Sequence, residues 1–142
     1  CNPYYEAMPA IVQEYMDKIN EKLGTDYKLF NYHGAADAKH VIVAMGSVCD
    51  TIHETVDYLL AQGEKVGVVK VRLYRPFSAK ALLDAIPGSV EQISVLDRTK
   101  EQGSGEPLYL DIINSLKDTN IKLSFKVLKT NFSDESKLFN LL

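Results

Sequence analysis

The chain has 142 residues, of which 46% are hydrophobic and 25% are charged, a composition that is normal for a soluble globular protein. Its net charge of −3 argues against a partner that is nucleic acid or an acidic membrane surface, since both require a basic patch. No apolar run approaches the ~18 residues that a membrane span needs. We therefore expect a single domain over residues 1–142 that buries a sizeable core.

The start of the chain and its cysteines bear on its origin. The first residue is Cys1 rather than Met, and no charged-then-apolar leader follows it, so we expect a processed protein or a piece of a larger multidomain chain. The other cysteine is Cys49, and two cysteines argue against a disulfide-rich secreted scaffold. We expect reduced thiols and a cytoplasmic location. A segment with two cysteines is also not expected to bind an iron–sulfur cluster, which usually has four cysteine ligands.

The first part of the chain predicts one helix and two strands. Apolar residues at helical spacing indicate a helix over 10–23, which Gly24 ends. The segment 27–32 alternates loosely between apolar and polar residues, as a short strand does. The continuous apolar run 41–45 is typical of a strand that is buried on both faces of a parallel sheet.

The middle of the chain repeats this alternation. Thr51 and Glu54 have the spacing of a capping box, which predicts a helix that begins near Thr51 and ends at Gly63. A strand follows over 66–73, and its alternating residues Lys70 and Arg72 indicate that one face is partly exposed to water at that end.

The last part of the chain continues the alternation of strands and helices, which predicts a mostly parallel sheet. Ser78 can cap a helix that Pro87 ends, and Pro107 suits the first turn of another helix. The remaining predicted elements are strands over 93–97 and 121–128 and a short helix over 133–142. Strands that alternate with helices indicate a parallel sheet with helices on both faces.

A candidate anion site or domain-contact edge lies at the carboxyl ends of the strands, where open α/β sheets bind ligands. Gly46 and Ser47 precede a helix, whose free N–H groups attract anions. Arg75 and Arg98 follow the third and fourth strands, and guanidinium groups favour carboxylate or phosphate. Two simpler interpretations stay open: a tight turn before a capped helix, and solvated arginines in surface ion pairs. A glycine-rich nucleotide-binding motif is absent from the sequence.

Cys49 and the histidines are the remaining candidates for chemistry. Cys49 lies near a helix N-terminus with His53 one turn later, so a Cys/His pair is geometrically possible. A nucleophile also needs an orienting group and an oxyanion site, and the sequence offers neither, so we expect a buried, slowly reacting thiol. His33, His40 and His53 lack zinc-ligand spacing, which argues against a metal site.

Six segments of the chain closely resemble segments of pyruvate:ferredoxin (flavodoxin) oxidoreductases, and they follow one another in the order found in that family. They are 1–5, 29–34, 45–51, 71–77, 96–101 and 105–111. In that family this stretch is the second domain of a long multidomain chain. The resemblance implies a fold similar to the C-terminal domain of transketolase, a three-layer α/β/α sandwich with a mostly parallel five-stranded sheet. The loop 101–106 looks shorter than in the family, and the resemblance fades beyond Asp111.

The resemblance also implies what the whole enzyme does. Such enzymes decarboxylate pyruvate on thiamine diphosphate with Mg²⁺, form acetyl-CoA from CoA, and pass electrons through iron–sulfur clusters to ferredoxin or flavodoxin, typically as homodimers. The residues that bind these groups belong to other domains, so the family implies no catalytic, cofactor-binding or metal-binding residue here. It implies a structural and docking domain that contacts other domains of the same chain and is inactive when isolated. The N-terminal tyrosines, Tyr4 and Tyr5 among them, suit such a contact.

Two other functions stay open at this point. The first alternative is a freestanding flavodoxin-like module that binds a phosphate-bearing ligand at the carboxyl edge of its sheet. The second is an enzyme that uses Cys49 as its nucleophile.

Overall fold

The computed structural model describes residues 2–97, 103, 105–117, 119 and 124–127. Helices and strands alternate along the described chain except that the first two strands follow one another directly. They are α1 (Asn2–Leu23), β1 (Phe30–Gly34), β2 (His40–Met45), α2 (Val48–Ala61), β3 (Val66–Val71), α3 (Ala79–Ala85), β4 (Gln92–Val95), α4 (Pro107–Leu116) and β5 (Ser124–Val127).

The five strands form one sheet in the order β1-β3-β2-β4-β5. The edge strand β1 runs antiparallel to β3, and the other neighbouring pairs are parallel. This confirms the mostly parallel five-stranded sheet. Each of the five predicted strands is present. The first four begin or end at other residues than predicted, and β5 is described over Ser124–Val127. The third ends at Val71 because the backbone N–H groups of Arg72 and Leu73 both donate to the carbonyl of Leu29.

The alternation of side chains along β2 builds the three layers. Val41 and Val43 point to one face, where they pack in one cluster with residues of α3 and α4. Ile42 and Ala44 point to the other face and pack with residues of α2. Strands that are buried on both faces need helices on both sides. The observed layers therefore confirm the α/β/α sandwich.

The helix ends test the predicted capping residues. Ser78 caps α3, since its Oγ accepts a hydrogen bond from the Ala81 N–H at 3.3 Å, and Pro107 begins α4; both predictions are confirmed. The capping box at Thr51 is wrong, because α2 already begins at Val48. Thr51 lies inside the helix, where its carbonyl accepts from the Thr55 hydroxyl at 2.9 Å.

Two further observations complete the comparison with the predicted elements. Helix α1 begins at Asn2, earlier than the predicted start at residue 10, and continues through Pro9. The predicted helix over 133–142 lies outside the described residues. In the part of the chain that the structure describes, no helix combines the length and apolarity of a membrane-crossing segment.

Candidate functional site: the carboxyl edge of the sheet and helix α1

The first candidate region is a cavity at the carboxyl ends of β2 and β3. Gly46 has a φ of 81°, a left-handed conformation that glycine adopts without steric cost, and it turns the chain from β2 into α2. Ser47 follows, and the N-terminal turn of α2 faces the end of β3. The cavity has a volume of about 420 Å³ and is lined by Gly46, Ser47, Cys49, Asp50, Lys70, Val71 and Arg72. We call it the Gly46–Ser47 cavity.

Two cations give this cavity its electrostatic character. Lys70 and Arg72 alternate along the strand and its exit, so both belong to the face of the sheet that α2 covers. The Arg72 Nε donates to the Asn31 side-chain oxygen at 2.7 Å, and its guanidinium lies 4.6 Å from the centre of the Tyr27 ring. The Lys70 Nζ lies 2.6 Å from the His53 Nδ1. Neither of these contacts is with a carboxylate, although the carboxylate of Asp50 also lines the cavity beside the two cations.

The predicted residue Arg75 lies in a different place. Its Nη1 is 2.7 Å from the Asp111 Oδ2, and its guanidinium lies 3.9 Å from the centre of the Tyr74 ring. Arg75 lines an apolar groove of about 660 Å³ together with Tyr5 and Met8 of α1. This groove and the Gly46–Ser47 cavity share no lining residue. Arg75 therefore lies at the groove beside α1 and not in the cavity that contains Ser47.

The other predicted arginine, Arg98, lies outside the described residues. Lys70 is a residue of the cavity that the sequence analysis did not single out. Its signal was present, because Lys70 and Arg72 alternate with apolar residues and so share one face of the predicted strand. The alternation was interpreted as contact with water only.

Cys49 is buried, as predicted, with 7% of its surface exposed. Burial raises the pKa of its thiol, and the nearby Lys70 ammonium opposes this rise only in part. The thiol is therefore protonated at neutral pH, whereas a nucleophile must be a thiolate. His53 does not serve it as a base, because its Nδ1 faces Lys70 and its Nε2 faces Asp57.

The structure brings two of the three histidines together. The rings of His33 in β1 and His53 in α2 stack with their centres 3.6 Å apart and their planes at 13°. Asp57 lies at their edge, with its Oδ1 2.6 Å from the His33 Nε2. Sequence spacing could not reveal this cluster, because His33 meets α2 only through the packing of α2 over the edge strand.

Helix α1 exposes an unusual amount of apolar surface. Seven of the nine large hydrophobic residues that are exposed among the described residues belong to it. Five of them recur every three or four residues and so form one row along the helix: Tyr4, Met8, Ile11, Tyr15 and Ile19. We call this row the α1 outer face.

Polar side chains attach the opposite side of α1 to the body of the domain. The Asn20 amide donates to the Tyr27 carbonyl at 2.8 Å and accepts from the Tyr27 N–H at 2.7 Å. The Gln13 side-chain oxygen accepts from the Leu29 N–H at 3.1 Å. Val12 and Met16 pack beside them against the core. Most of the α1 outer face therefore points away from the domain, and Met8, at its edge, lines the groove beside Arg75.

Comparison with known proteins settles the family. Residues 38–134 match the family of the pyruvate:ferredoxin oxidoreductase core domain II. The chain belongs to this family. A pyruvate-flavodoxin oxidoreductase from Nostoc sp. (strain PCC 7120) is 58% identical over 117 residues, which are 82% of this chain and 10% of that protein. The chain thus spans about a tenth of the length of this relative.

Two further matches complete the comparison. A pyruvate-flavodoxin oxidoreductase from Nostoc sp. (strain PCC 7119) is 50% identical over 137 residues, which are 96% of this chain and 33% of that protein. This match is longer than the 117 residues matched in the first relative, and the fading of the resemblance beyond Asp111 stays a prediction. A 2-oxoglutarate:ferredoxin oxidoreductase from Magnetococcus marinus superposes with a TM-score of 0.48 at 22% identity, covering 84% of this chain and 19% of that chain; a match this weak carries no weight for the function of this chain.

The cofactors that the family resemblance implies can be tested against these donor sets. The Mg²⁺ of thiamine diphosphate prefers carboxylate and carbonyl oxygens, but the Gly46–Ser47 cavity offers one carboxylate, Asp50, beside the cations Lys70 and Arg72. An iron–sulfur cluster needs several thiolates, but Cys49 is the one cysteine among the described residues, and its thiol is protonated. Neither group fits these residues, so no chemical step runs through either of them here.

Proposed function

We propose that this domain is a non-catalytic structural and docking part of a thiamine-diphosphate-dependent pyruvate:ferredoxin (flavodoxin) oxidoreductase. That enzyme converts pyruvate and CoA to acetyl-CoA and CO₂, transfers electrons to ferredoxin or flavodoxin, and acts in the cytoplasm as a homodimer. In this proposal the domain binds none of the enzyme's cofactors and instead contacts other domains of the same chain. Family membership, and a relative of which the matched part of this chain is about a tenth, support this function.

The α1 outer face is the observation that carries the docking role. Soluble monomers rarely expose contiguous apolar patches of more than roughly a few hundred Å², and patches above that size mark interaction surfaces. Tyrosine and methionine are enriched at such interfaces, and Tyr4, Met8 and Tyr15 are all exposed on this row. The groove beside Arg75 continues the same surface toward the carboxyl edge, because Tyr5 and Met8 line it.

Two assays test this proposal. The purified 142-residue chain, given pyruvate, thiamine diphosphate, Mg²⁺, CoA and an artificial electron acceptor, is expected to show no turnover above a no-protein control. Turnover by material free of the complete enzyme would contradict the non-catalytic role.

The second assay examines docking in the complete enzyme that carries this domain. The double variant Ile11→Glu, Tyr15→Glu places two charges on the α1 outer face, and burying them against a neighbouring domain is unfavourable. We expect at least a tenfold loss of specific activity, or loss of the assembled enzyme on size-exclusion chromatography. The matched control is Tyr58→Glu on α2, another exposed tyrosine. Full activity of the double variant would contradict the docking role.

A second candidate function is the binding of a phosphate-bearing ligand in the Gly46–Ser47 cavity. Lys70 and Arg72 line this cavity opposite the first turn of α2, and helix N–H groups and arginine together suit phosphate oxygens. Pyrophosphate is expected to raise the melting temperature of the chain, and Arg72→Gln is expected to reduce that rise. The same rise in Arg72→Gln, or no rise in the unaltered chain, would contradict this function.

A further inference from the structure

We propose that His33, His53 and Asp57 form a binding site for a divalent transition-metal ion such as Zn²⁺, which would link the edge strand β1 to helix α2. This site goes beyond the docking function, because neither the family nor its relatives' names assign a metal to this domain.

The backbone places the three side chains together. His53 and Asp57 are one turn apart on α2, so they share a face of the helix, and His33 reaches them from β1. One ligand atom of each residue lies within 4.8 Å of the ligand atoms of the other two. Each side chain is between one third and slightly over one half exposed, so an ion can reach the cluster from solvent.

The donor chemistry suits zinc. Imidazole nitrogen and carboxylate oxygen are common zinc ligands, and three protein ligands leave a fourth position for water. Metal binding requires neutral imidazoles and an ionised carboxylate, so protons compete with the ion for all three ligands.

Metal binding would change the local geometry in a defined way. Ligand atoms around a tetrahedral zinc ion are about 3.3 Å apart at the usual bond lengths, whereas the His33 Nε2 lies 2.6 Å from the Asp57 Oδ1. The exposed Asp57 side chain must therefore turn, and the stacked rings must splay, so that their lone pairs converge on the ion.

Lys70 competes with the metal. Its ammonium lies 2.6 Å from the His53 Nδ1, where a donated hydrogen bond requires that the Nδ1 carry no proton. A neutral His53 then has its proton on Nε2, the atom that would bind the ion. Metal binding at Nε2 moves the proton to Nδ1 and breaks the contact with Lys70. Removing the Lys70 charge should therefore strengthen metal binding.

The experiment is a Zn²⁺ titration of the chain by isothermal calorimetry at pH 7.5. The chain carries Cys1→Ser, so that the buried Cys49 is its one remaining thiol. One equivalent of Zn²⁺ is expected to bind. His33→Ala, His53→Ala and Asp57→Asn should each weaken binding at least tenfold. His40→Ala is the matched control, since His40 is not part of the cluster, and it should leave the affinity unchanged. Lys70→Gln should tighten binding several-fold.

Circular dichroism verifies that each variant is folded. Lys70→Gln is expected to bind Zn²⁺ more tightly, and a variant that failed to fold could not produce this result. The proposal is overturned if the chain and Lys70→Gln both bind no Zn²⁺, or if His40→Ala weakens binding as much as His33→Ala. Lys70→Gln with unchanged or weaker binding would also overturn it.

Discussion

Helices α1 and α2 both carry an apolar row, but they use it in opposite ways. The 14 residues of α2 bury Cys49, Ile52 and Val56, whereas the 22 residues of α1 include no buried residue. Periodicity in a sequence thus identifies an apolar row without showing what covers it.

The position of each helix in the chain explains the difference. Helix α2 connects the parallel strands β2 and β3, and such a crossover returns across the face of the sheet. Helix α1 leads into the edge strand β1, which runs antiparallel to its neighbour β3. Gln13 and Asn20 hold it by hydrogen bonds to the backbone at Tyr27 and Leu29, which leaves the α1 outer face free for a partner.

The largest expected difference in stability is between the same isoleucine-to-alanine substitution in α2 and in α1. Ile52 is completely buried and Ile11 is 46% exposed. Ile52→Ala should lower the free energy of unfolding by about 2–5 kcal/mol, since it leaves a cavity. Ile11→Ala should change it by about 0.5 kcal/mol or less. Urea unfolding of both variants measures the difference, and comparable losses would show that α1 is buried in the isolated chain.

A smaller loss of stability is expected when the buried carboxylate of Asp97, which is hydrogen-bonded to α4, is removed. Asp97 is 7% exposed, and its Oδ2 accepts a hydrogen bond from the Leu108 N–H at 2.8 Å, in the first turn of α4. Asp97→Ala removes this bond and the favourable charge at the helix N-terminus, which should cost about 1–3 kcal/mol. Thermal unfolding measures the loss, and an unchanged melting temperature would exclude Asp97 as a cap of α4.

The two predicted caps allow a further comparison. Ser78→Ala removes the observed cap of α3 and should lower the free energy of unfolding by about 1 kcal/mol. Thr51→Ala lies inside α2, where alanine has the higher helix propensity, so stability should stay the same or rise slightly. Chemical denaturation of both variants tests the order. A larger loss of unfolding free energy for Thr51→Ala than for Ser78→Ala would support the predicted cap at Thr51.

The smallest expected effect depends on pH. Burial raises the pKa of Cys49 above its ordinary value of 9.0. The folded chain thus holds this proton more tightly than the unfolded chain, so the stabilisation is complete below pH 9 and is lost as the pH rises above it. Compared with Cys49→Ala, the unaltered chain should lose slightly more stability between neutral pH and pH 10. Equal pH profiles would contradict the raised pKa.

The reactivity of the same thiol gives an independent test. In a Cys1→Ser background, iodoacetamide should label Cys49 much more slowly than a free thiol at neutral pH, since only the thiolate reacts. Mass spectrometry measures the rate. Fast stoichiometric labelling would revive the hypothesis of a nucleophilic Cys49.

The sequence predicted the sheet well, because its strands are read from local patterns. The apolar run at 41–45 is typical of a strand that is covered on both faces, and it forms most of β2. The start of α2 was missed, because the turn at Gly46 takes the chain directly into the helix and a chance Thr51–Glu54 spacing imitates a cap. The link from Asp97 to Leu108 was also missed, because the two residues are 11 positions apart and no fixed spacing marks such a contact.

The candidate site was predicted only in part, for a similar reason. Gly46 and Ser47 line one cavity, but Arg75 pairs with Asp111 and lines the separate groove beside α1. A strand pattern states at which end of the sheet a residue lies, and it does not state to which side a loop side chain turns. The His33–His53 stack is a contact between distant elements, so no local pattern predicts it.

Hydroxyl-radical footprinting tests the docking role of the α1 outer face most directly. Met8 and Tyr15 are exposed in this domain, and Tyr58 of α2 serves as the internal reference. The isolated chain and the complete enzyme are oxidised under the same conditions, and mass spectrometry measures each residue. We expect Met8 and Tyr15 to be at least tenfold less oxidised in the complete enzyme, with Tyr58 changing little. Equal oxidation of Met8 and Tyr15 in both proteins would contradict the account, because no other domain would then cover α1.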